Sequence, residues 1–214
     1  MIIMLQIFGI IVLIFSAVIH EYMHGWMAER LGDNTAKDAG RLTLNPIPHL
    51  DLFGSIILPA LMALSGTGII FGWAKPVPFN PNNLSDQKWG PAKVAIAGPL
   101  GNFIIALILG LSLRFIELAN PMMIALFAMA IMINLVLMIF NLMPIPPLDG
   151  SKVIMPFLPF KWQLQYMKLE RYGMILVIIF IFFAFDIIIP IVFFLMKVIA
   201  GNDAMAQISR LFGI

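Results

Sequence analysis

Apolar runs long enough to cross a bilayer recur along this chain, at residues 2–29, 54–73, 92–118, 121–143 and 172–200. A run of roughly 18 or more residues with few charges is what a spanning helix needs, because a helix satisfies its own backbone in hydrocarbon. Repetition carries the argument, since a water-soluble domain can bury one such segment but not several. Composition agrees: of 214 residues, 61% are hydrophobic and 11% charged, against about a quarter charged in a soluble domain. The fold class read from this is an all-α polytopic membrane protein with four to six transmembrane helices.

The same composition removes several function classes. A formal net charge of +2 with no arginine-rich stripe argues against a nucleic-acid partner. The chain has no cysteine, so disulfides, thiolate ligands and a thiol nucleophile are excluded, and any metal must be held by His, Asp or Glu. The first apolar run begins without Lys or Arg and continues into the sequence HEYMH, unlike a cleaved secretory signal, so it reads as a mature helix.

Breaks between the runs define the rest. Gly32 and the polar stretch 33–40 end the first helix, and residues 41–45 (RLTLN) alternate with period two, which predicts a short strand. Pro59 and residues 65–68 (SGTG) interrupt 54–73, which either spans or re-enters. The Gly, Pro and Asn of residues 71–83 forbid a continuous helix and suggest a second membrane-embedded strand near 71–79. Residues 92–118 and 121–143 form a helical hairpin ended by Pro144, Pro146 and Pro147. Loops 74–93 and 144–171 therefore share one side and hold seven Lys or Arg, which places them in the cytoplasm by the positive-inside bias. A single domain over 1–214 is expected, with a core at 1–155 and a C-terminal helical region at 156–214.

The residues that carry chemistry lie inside the first helix. His20 and His24 are four apart, about one helical turn, so both imidazoles can reach one zinc ion. Glu21 lies between them, as the general base and acid of a zinc hydrolase does. Three ionisable side chains near the end of an apolar spanning helix cost several kcal/mol unless paired or ligated. A catalytic zinc takes a third protein ligand and keeps one open position. The candidates are His49, Asp51, Asp149 and Asp186. Asp149 is favoured because the three prolines of residues 141–150 (NLMPIPPLDG) unwind a helix end at membrane depth, which is tolerated around a cavity or inside protein. His49 and Asp51, in residues 45–54 (NPIPHLDLFG), read as a pair supporting the ligands or as a loop. Asp186 reads as a helix end or interfacial position. Asn102 and Asn141, taken alone, are as easily explained by helix–helix hydrogen bonds.

HEYMH in a membrane helix, GPLGN at 98–102 and NLMPIPPLDG at 141–150 together resemble the site-2 protease family of intramembrane zinc metalloproteases. NPIPHLD at 45–51 and GWAKPVP at 72–78 are similar to its compact bacterial and archaeal branch, which lacks PDZ or CBS domains. The resemblance implies that His20, His24 and Asp149 ligate zinc and that Glu21 is the catalytic acid/base. It also implies that Asn102 and Asn141 position substrate or stabilise the oxyanion. The protein is then expected in a prokaryotic cell membrane, cleaving a transmembrane substrate in or beside its membrane segment.

A shared metal also constrains topology. The helix bearing His20 and His24 must end on the cytoplasmic side with Asp149, so a re-entrant 54–73, four full spans and an extracytoplasmic N-terminus are favoured; a full extra crossing stays open if the metal is near the midplane. Pro76 and Pro78 lack donors on one edge of the 71–79 strand, so its other edge, or the proline-free part near 71–75, is expected to pair with unwound substrate. Two other classes remain: a transporter or channel with an intramembrane metal site, which has no need of Glu21, and a membrane metallohydrolase acting on lipid or a prenylated peptide. Oligomeric state is not legible.

Overall fold

The computed structural model describes residues 2–57, 61, 74–116 and 120–212. Helix α1 (Ile2–Arg30) runs unbroken through the HEYMH sequence, and a four-residue α2 (Thr35–Asp38) follows. Helices α3 (Gly90–Phe115) and α4 (Pro121–Asn141) form the hairpin. The short α5 (Asp149–Ile154), α6 (Phe160–Glu170), the long α7 (Gly173–Ala200) and α8 (Asn202–Phe212) complete the chain. Among the described residues, α1, α3 and α4 are long and apolar enough to span. The two pieces of α7, Gly173–Ile181 and Asp186–Ala200, meet at a 70° bend and make a fourth span if taken together.

Local chemistry sets the helix ends. Pro91 and Pro121 stand in the first turns of α3 and α4, where the missing N–H costs nothing. The Asn120 side chain accepts the Met122 N–H at 2.9 Å and caps α4. After Asn141 the prolines at 144, 146 and 147 supply no donors, so α4 cannot continue. Helix α3 is the hub, packing against α1, α4, α5, α7 and α8. The main core joins Ala106 of α3, Ile131 and Leu135 of α4, Ile188 and Val192 of α7 and Ile208 of α8. A smaller cluster of Ala28, Leu84 and Val94 ties the end of α1 to the start of α3.

Neither expected strand forms among the described residues. Within 41–45 the polar side chains take the backbone instead: Thr43 Oγ1 accepts the Asn45 N–H, and Asn45 Oδ1 accepts the Ile47 N–H, both at 3.1 Å. Residues 74–80 carry no regular structure and are held by other parts of the chain. The Lys75 N–H donates to the His49 carbonyl at 2.8 Å, and buried Arg41 donates to the carbonyls of Lys75 at 2.8 Å and Pro76 at 3.4 Å. The Asn80 N–H donates to Asp33 at 2.6 Å. Residues 71–73, the rest of that expected strand, lie outside the described residues.

The His49–Lys75 hydrogen bond brings the two ends of the intervening segment together. Whether the segment re-enters lies outside the described residues, as does most of its length.

Candidate metal centre

Helix α1 places His20 and His24 on one face toward α3, with ring centroids 4.6 Å apart and planes at 87°. Helix α5 begins at Asp149 and delivers its carboxylate to the same point. His20 Nε2 lies 3.0 Å and His24 Nε2 3.2 Å from Asp149 Oδ2. These three residues form the one group of metal-ligating side chains found among the described residues.

The outer nitrogens of both rings are fixed. His20 Nδ1 is 2.7 Å from Asn102 Oδ1, and His24 Nδ1 is 2.8 Å from the Val94 carbonyl. Asn102 orientation follows from its neighbours: its amide nitrogen donates to the Ser16 carbonyl at 3.1 Å and to Asn134 Oδ1 at 3.0 Å, leaving its oxygen for His20. Both Nδ1 atoms therefore donate, so both neutral rings turn an Nε2 lone pair toward the carboxylate. Three lone-pair donors converging on one point repel each other unless a cation or extra proton lies between them. Tetrahedral zinc with bonds near 2.0–2.1 Å has ligand–ligand edges of roughly 3.3 Å, close to the spacings observed. The donor set and its outer hydrogen bonds fit zinc, which prefers two imidazoles and a carboxylate held from behind in this manner.

Two glycines make the approach possible. A Cβ on Gly98 would lie 2.5 Å from His24 Nε2 and 2.7 Å from His20 Nε2, filling the space between the rings and α3. A Cβ on Gly150 would collide with the Leu142 carbonyl, so the chain can fold back from α4 to present Asp149 only with glycine there.

Glu21 leaves α1 on the cavity side, and its Oε2 accepts the Val77 N–H at 2.7 Å. The cavity, about 180 Å³, is lined by His20, Glu21, His24 and Asp149 together with Val77, Phe79, Asn141 and Lys152. Lys152 is half-buried, with its ammonium 5.7 Å from the Phe79 ring centre.

The other sequence candidates divide. Asn141 lines the cavity, and one of its amide hydrogens is used at the Leu137 carbonyl, at 2.9 Å. Asn102 is fully buried, and each of its hydrogen bonds goes to protein, so it braces His20 and does not face the cavity. His49 is also buried, with Nε2 donating to the Thr43 carbonyl at 2.8 Å, and it touches the site only through its carbonyl's hold on Lys75. Asp51 accepts the Gly54 N–H at 2.6 Å in the turn that follows. Neither residue joins the metal-ligating cluster. Val77, Asn134 and Lys152 were not legible as site residues. A backbone donor has no side-chain signature, and the other two become meaningful only when α3, α4 and α5 are assembled.

The free strand edge expected of 71–79 is not what the described part presents. The N–H groups of Lys75 and Val77 are engaged by His49 and Glu21, and Pro76 and Pro78 have none.

A bundle of spanning helices with an internal cavity and a His/His/carboxylate centre defines a membrane-embedded metallohydrolase. The sequence profile of peptidase family M50 matches residues 112–185. A protein of Bacillus subtilis (strain 168) named as a zinc metalloprotease, YwhC, is 39% identical over 178 residues, covering 79% of this chain and 78% of its own. Rip2 of Mycolicibacterium smegmatis (strain ATCC 700084 / mc(2)155), also named as a zinc metalloprotease, is 30% identical over 170 residues. That match covers 77% of this chain and 62% of Rip2, so the chain spans less than two thirds of that relative. No solved structure matches. The chain belongs to peptidase family M50, the site-2 protease family, and is an intramembrane zinc metalloprotease.

Proposed function

We propose that the protein hydrolyses a peptide bond in or beside the transmembrane segment of a membrane-protein substrate, with zinc held by His20, His24 and Asp149 and with Glu21 as acid/base. The observation that carries this reading is the convergence of two Nε2 atoms and one carboxylate oxygen at 3.0 and 3.2 Å beside a cavity that Glu21 also lines. His20, His24 and Asp149 would hold a zinc ion that would supply Lewis acidity toward the scissile carbonyl and toward an attacking water, helping that water to lose a proton. Glu21 takes that proton and returns it to the leaving amine, while the Val77 N–H holds its carboxylate in place. Asn102 keeps the Nδ1 proton of His20 directed away from the ligand position. Asn141, with an amide hydrogen not used at Leu137, is the side chain best placed among the two asparagines to meet an oxyanion. His49 acts at a distance, its carbonyl holding Lys75 two residues before Val77, and Asp51 holds the turn at Gly54.

In this reading the centre opens toward the cytoplasm of a prokaryotic cell, because the loops around it carry Lys75, Lys88, Lys152, Lys161, Lys168 and Arg171. The chain acts as one domain, since α7 and α8 share the core of α3 and α4. A transporter has no use for a carboxylate between the histidines, held by a backbone amide at the cavity wall.

The test is Glu21→Gln in proteoliposomes carrying single-span substrates. The variant should retain zinc and lose cleavage by about 10²–10⁴-fold. Asp149→Ala should lose both. Unchanged turnover in Glu21→Gln, or full zinc in Asp149→Ala, would overturn these assignments.

A further inference from the structure

Helix α7 turns one face to the bundle and the other away from it. Ala184, Ile188, Val192 and Met196 are buried in the core, each 2% exposed or less. Asp186 stands two residues, about 200° of helix rotation, from Ile188, and so points away from the bundle. It is exposed there, in a stripe with Phe183 and Phe194, each 64% exposed, and it has no hydrogen bond or ion pair among the described residues.

The depth of this carboxylate makes it unusual. The piece Asp186–Ala200 would be about 22 Å long at 1.5 Å per residue, against a hydrocarbon core of about 30 Å. The Ala200 end sits at the far boundary, where Arg114 at the end of α3 donates to the Val198 carbonyl. Asp186 therefore lies inside the hydrocarbon layer, in the half nearer the metal centre, and tilt only moves it toward the midplane. Its side chain is too short to reach the headgroups as a lysine would. A lipid-facing acid at that depth is costly and calls for a cation or strong donor opposite it.

Among the described spanning helices, a second copy of the chain supplies no cation at that depth. In the described spanning helices, Arg30, Lys93, Arg114 and Lys197 all lie in a first or last turn, and Lys93 is paired with Asp86. The start of α7, by contrast, abuts the cavity: Gly173 packs against Pro147, which lines it. A helix lying along the outward face of Asp186–Ala200 reaches the bend at its near end, from which the Gly173–Ile181 piece leads back to Pro147 and the cavity.

We propose that this face docks the spanning helix of a substrate carrying Lys or Arg in the same half of the bilayer, and that Asp186 pairs with that cation. The proposal rests on the proteolytic reading above and adds a substrate class to it.

Two single-span substrates, identical except for Lys or Leu at that depth, test it in proteoliposomes. Wild type should cleave the Lys helix with a KM roughly three- to thirtyfold lower than the Leu helix. Asp186→Leu should abolish the difference while cleaving the Leu helix as wild type does, which also reports its folding. Asp186→Lys should shift the preference to a Glu-bearing helix. Equal KM values for wild type, or a Lys preference that survives Asp186→Leu, overturn the proposal. Docking is also read without turnover, by crosslinking from a cysteine replacing Phe183 in Glu21→Gln. Lys-dependent crosslinking with no cleavage by wild type supports docking and sinks the proteolytic reading, whereas charge-independent crosslinking sinks docking alone.

Discussion

At the scale of single residues, the centre depends on atoms that never touch substrate. Asn102 donates nothing to the cavity, yet its oxygen at 2.7 Å from His20 Nδ1 sets which nitrogen faces Asp149. Asn102→Ala should weaken zinc binding by about 10–100-fold, measured by competition with a chelator. Asn134→Ala, one hydrogen bond further out, should have a smaller effect. Zinc affinity unchanged by Asn102→Ala would remove this residue from the support of the site. Gly98→Ala is a sharper test, because the added methyl would lie 2.5 Å from His24 Nε2. It should cost most of the bound zinc while the helices stay folded, read by metal analysis alongside circular dichroism.

At the scale of elements, the segment 74–80 acts as a bracket, pinned by His49 and Arg41 at one end and Asp33 at the other. It lines the cavity with Pro76, Val77 and Phe79, and its hydrogen bond to the site is the Val77 N–H on Glu21. Val77→Pro deletes that donor between two existing prolines and should lower kcat by roughly tenfold or more, as loss of a hydrogen bond to a charged group does, with zinc retained. Asp33 holds the other end: it is fully buried and accepts from Thr35, Asn80 and Asn83. Burial opposes its ionisation, but these donors hold the carboxyl below the ordinary carboxylate value. Its contribution to stability is thus complete above about pH 4 and is lost as pH falls through the lowered folded value. Asp33→Asn should be less stable near pH 7 by about 1–3 kcal/mol and should lack that acid-side loss. Thermal melts in detergent across pH would measure both; parallel acid limbs in the two proteins would contradict the assignment.

At the scale of the whole molecule, the shared centre forces the end of α1, the start of α3 and the end of α4 onto one side of the bilayer. In a chain free of native cysteine, Lys37→Cys and Lys161→Cys should both react with an impermeant maleimide from the cytoplasmic side, and Asn202→Cys from the opposite side. Labelling of the first two from different sides would contradict the topology. Chelation should abolish cleavage, and added zinc should restore it, without altering this labelling pattern.

The membrane class, the hairpin and the three ligand candidates were legible because they rest on short-range rules: run length, proline, and the one-turn spacing of His20 and His24. Asp149 was legible through its local context, three prolines and a glycine at the end of a spanning helix. Neither 41–45 nor the described part of 71–79 forms a strand, because alternation in the first and the Gly, Pro and Asn content of the second report local preference, not whether the backbone finds a ladder. His49, Asp33 and Glu21 took backbone donors of 74–80, and Arg41 took the carbonyls of Lys75 and Pro76. The roles of Asn102, Val77 and Asp186 depend on which helix faces which, and that was decided when α3 packed between α1 and α4 and α7 turned its small and apolar residues inward.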